Sequence, residues 1–549
     1  MAKPRRGFRQ VREWVELIKD SQSSFGRKLE ELYSGDVKIK AECAEMYLRA
    51  VERFGDRFGK KGEVIIVHST GRVNLLGMHI DHRGGSVNPI AIKEMIFVVE
   101  GRDDDKVVVS NVEHDEFPDE QFVISRCLPD YKIRDWDGWC HDELEKRRCD
   151  DSVTWSNYIR AAVLYIQHLY TNDDGVFRPA LRGMNIMGYG NIPRGAGLSS
   201  SSSLVLITCE AVLKINDLQI DPMELVEGSG FAEWYVGTRG GCGDHAAIRF
   251  GRAGQILHMT NFPLTVETAP FPAGYKIVLA NSMVVAKKRT GARNVFNNRV
   301  AAYVFGMMMI RKKFPQYADK LEHLRDVNPK TLGVDEAEIY RIIKSLPERA
   351  TRQDILAELP EQEERIRHTF RSHDEPKEGY RIRQVCLYGI AECIRADMAP
   401  VLLRAGDIRR LGEVMNISHD GDRVSRLIDG QRVPVDHSYP DESIDLLIEA
   451  FQSDDAERIE SSRLWRQSGG YDVSVPEMDE LVDIALQCPG AAGAGLVGAG
   501  MGGSIAVLVE EGCAEQVAER MSERYYRLRG LPVGAEIVSP ISGATVLEV

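Results

Sequence analysis

Apolar residues recur at helical spacing from the start of the chain: Phe8, Val11, Val15 and Ile18, then Leu29 and Leu32. This pattern predicts a helical segment over residues 1–60. The period then changes. Val64-Ile65-Ile66-Val67 is an unbroken apolar run with the length of a buried strand. Ile90-Ala91-Ile92, Ile96-Phe97-Val98-Val99 and Val107-Val108-Val109 predict further strands. Residues 129–151 are rich in Asp, Lys, Arg and Trp, and a surface insertion is expected there. Helical patterning resumes at Trp155 and continues through Ala162 to Leu169. Punctuation at Phe271-Pro272 precedes Ile277-Val278-Leu279, a strand expected to open a second domain. Residues 300–410 are charged and helical in period. Residues 425–470 are charged and lack strand signals, so a second insertion is expected. The predicted division is a helical extension over 1–60, a first domain over 61–270, and a second over 271–549 that carries the 425–470 insertion.

Bulk properties narrow the function classes. A chain of 549 residues accommodates more than one core. Its net charge of −13 argues against non-specific binding to nucleic acid or to an anionic membrane. The first residues, Met1-Ala2-Lys3-Pro4-Arg5-Arg6, are basic, but no apolar stretch follows, so no secretory signal is expected. Gly490 to Val509 is uncharged and long enough to span a bilayer. Seven of its residues are glycine, which predicts a loop and a strand instead. The ten cysteines are scattered without a C-x-x-C pair, so reduced thiols in a cytoplasm are expected and a zinc site is not.

Three polar or glycine-rich runs interrupt the scaffold. The first, Gly71-Arg72-Val73-Asn74-Leu75-Leu76-Gly77-Met78-His79-Ile80-Asp81-His82-Arg83-Gly84-Gly85, packs charged groups directly behind apolar ones. Buried charges need partners, so the run predicts a strand end that delivers polar side chains into a pocket. The second is Ile192-Pro193-Arg194-Gly195-Ala196-Gly197-Leu198-Ser199-Ser200-Ser201-Ser202-Ser203-Leu204. Its glycines let the backbone approach an anion, and the serines begin an apolar helix whose free N–H groups point at one spot. That is a phosphate site, although the G-x-x-x-x-G-K-[ST] pattern is absent. The third, Gly498-Ala499-Gly500-Met501-Gly502-Gly503, overlaps a G-x-G-x-x-G match at Gly493. A strand, Ser504 to Val509, follows it where a dinucleotide site requires a helix, so the dinucleotide reading is rejected.

Gly240-Gly241-Cys242-Gly243-Asp244-His245 adds a carboxylate in a glycine-rich turn. Phosphoryl transfer needs an acceptor hydroxyl held in line, a cation near the transferring group, and a metal ligand. Asp244 and Arg72 suit the first two roles, with Arg72 keeping Asp244 ionised.

Taken in order, the three runs resemble the motifs of the GHMP small-molecule kinases, and the first resembles the galactokinase signature. The resemblance covers roughly residues 60–300 and 385–549, including Met415-Asn416-Ile417-Ser418-His419 and Tyr471 to Asp479. It implies an α+β fold of two lobes, ribosomal-protein-S5-like then ferredoxin-like, with helical insertions. It implies ATP as phosphoryl donor, with Gly195, Gly197, Leu198, Ser199, Ser200, Ser201, Gly498 and Gly500 around the nucleotide. It implies Mg²⁺ held by Ser201 and by Glu233, eleven residues before Asp244. Sugar contacts fall to His79, Asp81 and Gly241. The activity implied is phosphorylation of an anomeric hydroxyl. A non-catalytic sugar and ATP sensor, or another kinase or decarboxylase of the superfamily, stands as the alternative. Nothing in the sequence sets the oligomeric state.

Two positions depart from the galactokinase pattern. Met78 replaces a glutamate near the sugar C6, and Phe296 replaces a tyrosine. A glutamate facing a C6 carboxylate at about 4 Å would cost on the order of 4 kcal/mol at an effective dielectric of about 20. Methionine removes that repulsion. Galacturonokinases are similar here, and a C6-altered sugar such as galacturonate is the expected substrate.

Overall fold

The structure is a computed structural model and describes residues 6–34, 37–148, 154–177, 179–238, 241–285, 291–428 and 430–549. Met1 to Arg5, the end of the expected 129–151 insertion and Gly240 of the Asp244 turn lie outside the described residues.

A seven-stranded mixed sheet forms the first half. Its path runs Arg9–Gln10, Glu63–Asn74, Pro89–Gly101, Met184–Gly190, Lys106–Asn111, Glu120–Val123. The alternation within Val64-Ile65-Ile66-Val67 explains why that run is apolar throughout. Ile65 and Val67 face a core shared with helices Ser156–Leu169 and Ser200–Ile215. Val64 and Ile66 face the N-terminal helices through Val11, Trp14 and Phe54. With both faces covered, all four positions are apolar. The runs at Ile90 and Ile96 prove to be one strand, Pro89–Gly101, whose pairing shifts register between Thr70 and Gly71.

A second sheet, in the order Ala491–Leu496, Ser504–Glu510, Tyr275–Asn281, Ala535–Val538, is antiparallel. It packs on a large helical core that includes Gly291–Lys313 and Ile382–Ala405. One apolar layer joins the two sheets: Val73, Ile90 and Ile92 from the first meet Ile277, Leu279 and Leu508 from the second. The chain end then returns. Thr545–Val546 pairs with the Glu63–Asn74 strand, and Leu547 is buried beneath the N-terminal helices.

Two segments differ from their expected character. Residues 425–470 do contain strands, a hairpin of Ser425–Ile428 with Gln431–Pro434. Its strands are only four residues each, Ser425-Arg426-Leu427-Ile428 and Gln431-Arg432-Val433-Pro434, too short and too polar to stand out as a strand pattern. The Trp-rich segment before residue 151 is packed. Helix Trp136–Arg148 buries Cys140, stacks Trp136 on His168 and stacks Trp139 on Tyr235. No helix among the described residues is long and apolar enough to cross a membrane.

Candidate active site

The Glu63–Asn74 strand ends in the first motif and carries Arg72 to the junction of the two sheets. There Arg72 donates from Nε to Asp244 Oδ1 at 2.8 Å and from Nη2 to Asp244 Oδ2 at 2.9 Å. Its Nη1 donates to Gly197 O at 2.6 Å, tying the pair to the second motif. Ser199, in the left-handed region at φ 57°, donates its hydroxyl to Asp244 as well. Burial pushes the Asp244 pKa up, but the Arg72 charge and these hydrogen bonds outweigh it and hold the carboxyl below its ordinary range. Asp244 is therefore an ionised acceptor.

Arg72, Met78, His79, Asp81, Gly241, Asp244, Glu233, Phe296 and Gly498 line one cavity of about 340 Å³, of small-molecule size. On its floor His82 Nδ1 donates to Asp81 Oδ1 at 3.0 Å. Burial raises the Asp81 pKa, yet the His82 hydrogen bond and charge hold it below the usual carboxylate range. His79 is buried at φ 62°, its ring stacked 4.3 Å from Tyr471 and its Nε2 3.3 Å from Asp422 Oδ1. Through that contact the Tyr471 segment, far along the chain, backs the first motif. Met78 is 5% exposed, with Asn74 Nδ2 3.6 Å from its sulfur.

The glycine loops meet directly above. A Cβ on Gly498 would lie 3.2 Å from Gly197 O, and both residues have φ of 80°, so side chains there would part the second and third motifs. Gly195, also at positive φ, opens to free space, and a Cβ on Gly500 would strike Val473 O. Leu198 is buried in the inter-sheet layer. Ser200 and Ser201 begin the Ser200–Ile215 helix and face an adjoining cleft of about 500 Å³ lined also by Asn191, Phe117, Trp155 and Tyr158. Aromatic walls beside a helix N-terminus suit a base and its phosphates.

Glu233 is 5% exposed at the end of helix Pro222–Ala232 and accepts from Ser202 Oγ at 2.9 Å. Ser202, not Ser201, is thus the hydroxyl beside it. Among the described residues Glu233 has no Lys or Arg partner. His245 Nε2 lies 3.6 Å away without a hydrogen bond.

A supporting residue has no counterpart in the sequence reading. Glu392 Oε1 accepts from the backbone N–H of Gly77 at 2.8 Å and of Met78 at 3.2 Å, and from Ser418 Oγ at 2.9 Å. The signal was present in the sequence: a Glu and an Arg three residues apart within an otherwise apolar helical run, Ile390 to Ala396.

The chain matches models of known families in three places. The GHMP kinases N terminal domain matches residues 157–252 and the GHMP kinases C terminal domain residues 447–527. The galactokinase galactose-binding signature matches residues 52–102, the segment containing Arg72, Met78, His79 and Asp81. The chain carries the N- and C-terminal domains of GHMP kinases and the galactose-binding signature of the galactokinase family. Enzymes of this family are ATP-dependent sugar phosphotransferases. The galactokinase of Limosilactobacillus fermentum is 25% identical over 86% of this chain and 92% of its own. That of Schizosaccharomyces pombe is 26% identical over 90% and 92%. The crystal structure of Lactococcus lactis galactokinase complexed with galactose shares the fold, with a TM-score of 0.59 at 22% identity over 92% of this chain and all of that one. In this kinase the carboxylate and hydroxyl of Glu233 and Ser202 are hard oxygen donors. They fit a Mg²⁺ ion, which takes one or two protein ligands and keeps its other positions for water and phosphate.

Proposed function

We propose that this kinase transfers the terminal phosphoryl group of ATP to the anomeric hydroxyl of a galactose-like hexose, and takes a sugar altered at C6, galacturonate foremost, ahead of plain galactose. The observation that carries the reading is the two-pronged Arg72–Asp244 pair, set between the cavity containing Asp81 and Met78 and the loops containing Gly197 and Gly498. Asp244 accepts the hydrogen bond of the hydroxyl to be phosphorylated and orients its oxygen. Because its pKa is depressed, Asp244 is a weak base, and the proton moves late, as the oxygen becomes bonded to phosphorus. Arg72 offsets negative charge on the transferring group while holding Asp244 in place. Asp81, fixed by His82, accepts from another sugar hydroxyl, and His79 stands beside it. Mg²⁺, held by Glu233 with Ser202, would neutralise phosphate charge when bound. Met78 puts an uncharged group where a glutamate would repel a C6 carboxylate. A cytoplasmic setting, where ATP is available, follows from the same reading.

The test is ADP release with galactose, galacturonate, galactosamine and a 6-deoxyhexose, with the product position read by phosphorus NMR. Galacturonate giving the highest kcat/KM and a 1-phosphate product is expected. A strong preference for galactose would remove the C6 assignment, and no ADP release with any sugar would remove the activity.

A further inference from the structure

Behind the first motif, on the side away from Asp244, lies a second cavity of about 300 Å³. Its wall is strongly basic: His82, Arg83, Arg311, His323 and Arg365 line it, against a single acidic residue, Glu322. Helix Gly291–Lys313 supplies Arg311, and helix Glu363–Phe370 supplies Arg365.

Three nitrogens of this wall are buried without any hydrogen-bond partner: His82 Nε2, Arg83 Nε and His323 Nδ1. Arg83 is the sharpest case. Among the described residues its only side-chain hydrogen bond is a long one, Nη2 to Val300 O at 3.4 Å, and it lies over the Tyr303 ring at 5.8 Å. No carboxylate of the described residues pairs with it. Burial lowers its pKa accordingly. Arg311 and Arg365 reach the cavity from exposed positions and have no side-chain hydrogen bond or ion pair among the described residues. Arg83 is half-buried with its Nε sealed from water, and unsatisfied buried donors are rare in native proteins. The missing partner is an anion, and the cavity has room for one.

We infer that this cavity binds a phosphate group, free or carried on a small metabolite, and that His82 couples it to the sugar pocket. Guanidinium groups match the geometry of phosphate oxygens and hold them by charge-assisted hydrogen bonds. His82 lines both cavities, with Nδ1 bonded to Asp81 on the sugar side and Nε2 free on the other. An anion at Nε2 holds the imidazole in place, and through the Nδ1 contact it holds Asp81. The coupling rests on the sugar-site reading above; the binding does not.

Inorganic phosphate and glucose 6-phosphate are the probes, titrated calorimetrically into the full chain with the nucleotide cleft filled by a non-hydrolysable ATP analogue. Chloride at matched ionic strength is the control. The wild type should bind at least one probe. The double variant Arg311→Gln/Arg365→Gln, on exposed positions outside the sugar and nucleotide sites, should bind it about tenfold more weakly, because charge-assisted contacts are lost. Its activity without phosphate should be unchanged. Tighter binding of glucose 6-phosphate points to a metabolite, and equal binding to free phosphate. Sugar KM should fall about fivefold in phosphate, the low end of ordinary coupling, and the double variant should lose that response. No binding by the wild type, or equal binding by the variant, overturns the site. Binding without a change in KM overturns the coupling. If no sugar releases ADP yet phosphate binds and the variant weakens it, the site stands and the sugar reading fails.

Discussion

Glu392 and Arg395 form an ion pair sealed from solvent: both side chains are 0% exposed, with Nε 2.7 Å from Oε2. Arg395 also donates to Trp465 O and Gln467 O, while Glu392 holds the Gly77 and Met78 amides. A pair buried this deeply adds little net stability, but removing one member strands the other. Glu392→Ala is expected to lower unfolding free energy by about 3–5 kcal/mol, read by chemical denaturation. Glu392→Gln, which keeps an acceptor for the amides, should lose less. A stability change under about 1 kcal/mol for Glu392→Ala would show that Arg395 finds other solvation.

Asp244→Asn should keep the fold and nucleotide binding while lowering kcat by about 10²–10⁴, the range for a positioned acid–base group. Turnover near wild type would exclude Asp244 from the reaction.

The Arg72–Asp244 pair sets a pH signature. The folded pKa of Asp244 lies below its ordinary value of 3.8, so stability from the pair is present above that value and is lost as pH falls through the lowered one. Arg72→Gln removes the chief lowering influence. The acid limb of kcat/KM should therefore move to higher pH, alongside a fall in kcat. An acid limb that stays in place in Arg72→Gln would show that another group sets it.

Glu233→Gln and Ser202→Ala should each raise the Mg²⁺ concentration needed for half-maximal activity, with little change in sugar KM. Ser201→Ala tests the alternative hydroxyl, because Ser201 faces the neighbouring cleft. A larger metal effect from Ser201→Ala than from Ser202→Ala would reverse the assignment.

Met78→Glu should reduce kcat/KM on galacturonate by charge repulsion and raise it on galactose. Asn74 Nδ2, already 3.6 Å from the methionine sulfur, is placed to hold a carboxylate there. An unchanged ratio between the two sugars would exclude Met78 as a C6 determinant.

The sequence by itself determined the local devices, because each is a short run whose chemistry depends on neighbours. The double-sided apolar strand at Val64, the glycine loops at Gly195 and Gly498, the serine-led helix and the charged first motif were all legible. Their order was enough to indicate the family. Tertiary structure decided which side chains meet. Arg72 was expected beside Asp244, 172 residues away, but its two-pronged grip and the tie to Gly197 O come only from the closure of the first sheet on the glycine turn. Ser202 and Ser201 are equivalent in sequence, and the rotation of one helix decides which faces Glu233. Glu392 supports Met78 from 314 residues away, and Thr545–Val546 returns to the first sheet, because buried backbone groups take whatever partner the packing brings. The basic cavity behind His82 was equally invisible, since its basic residues come from four separate segments that carry no common motif.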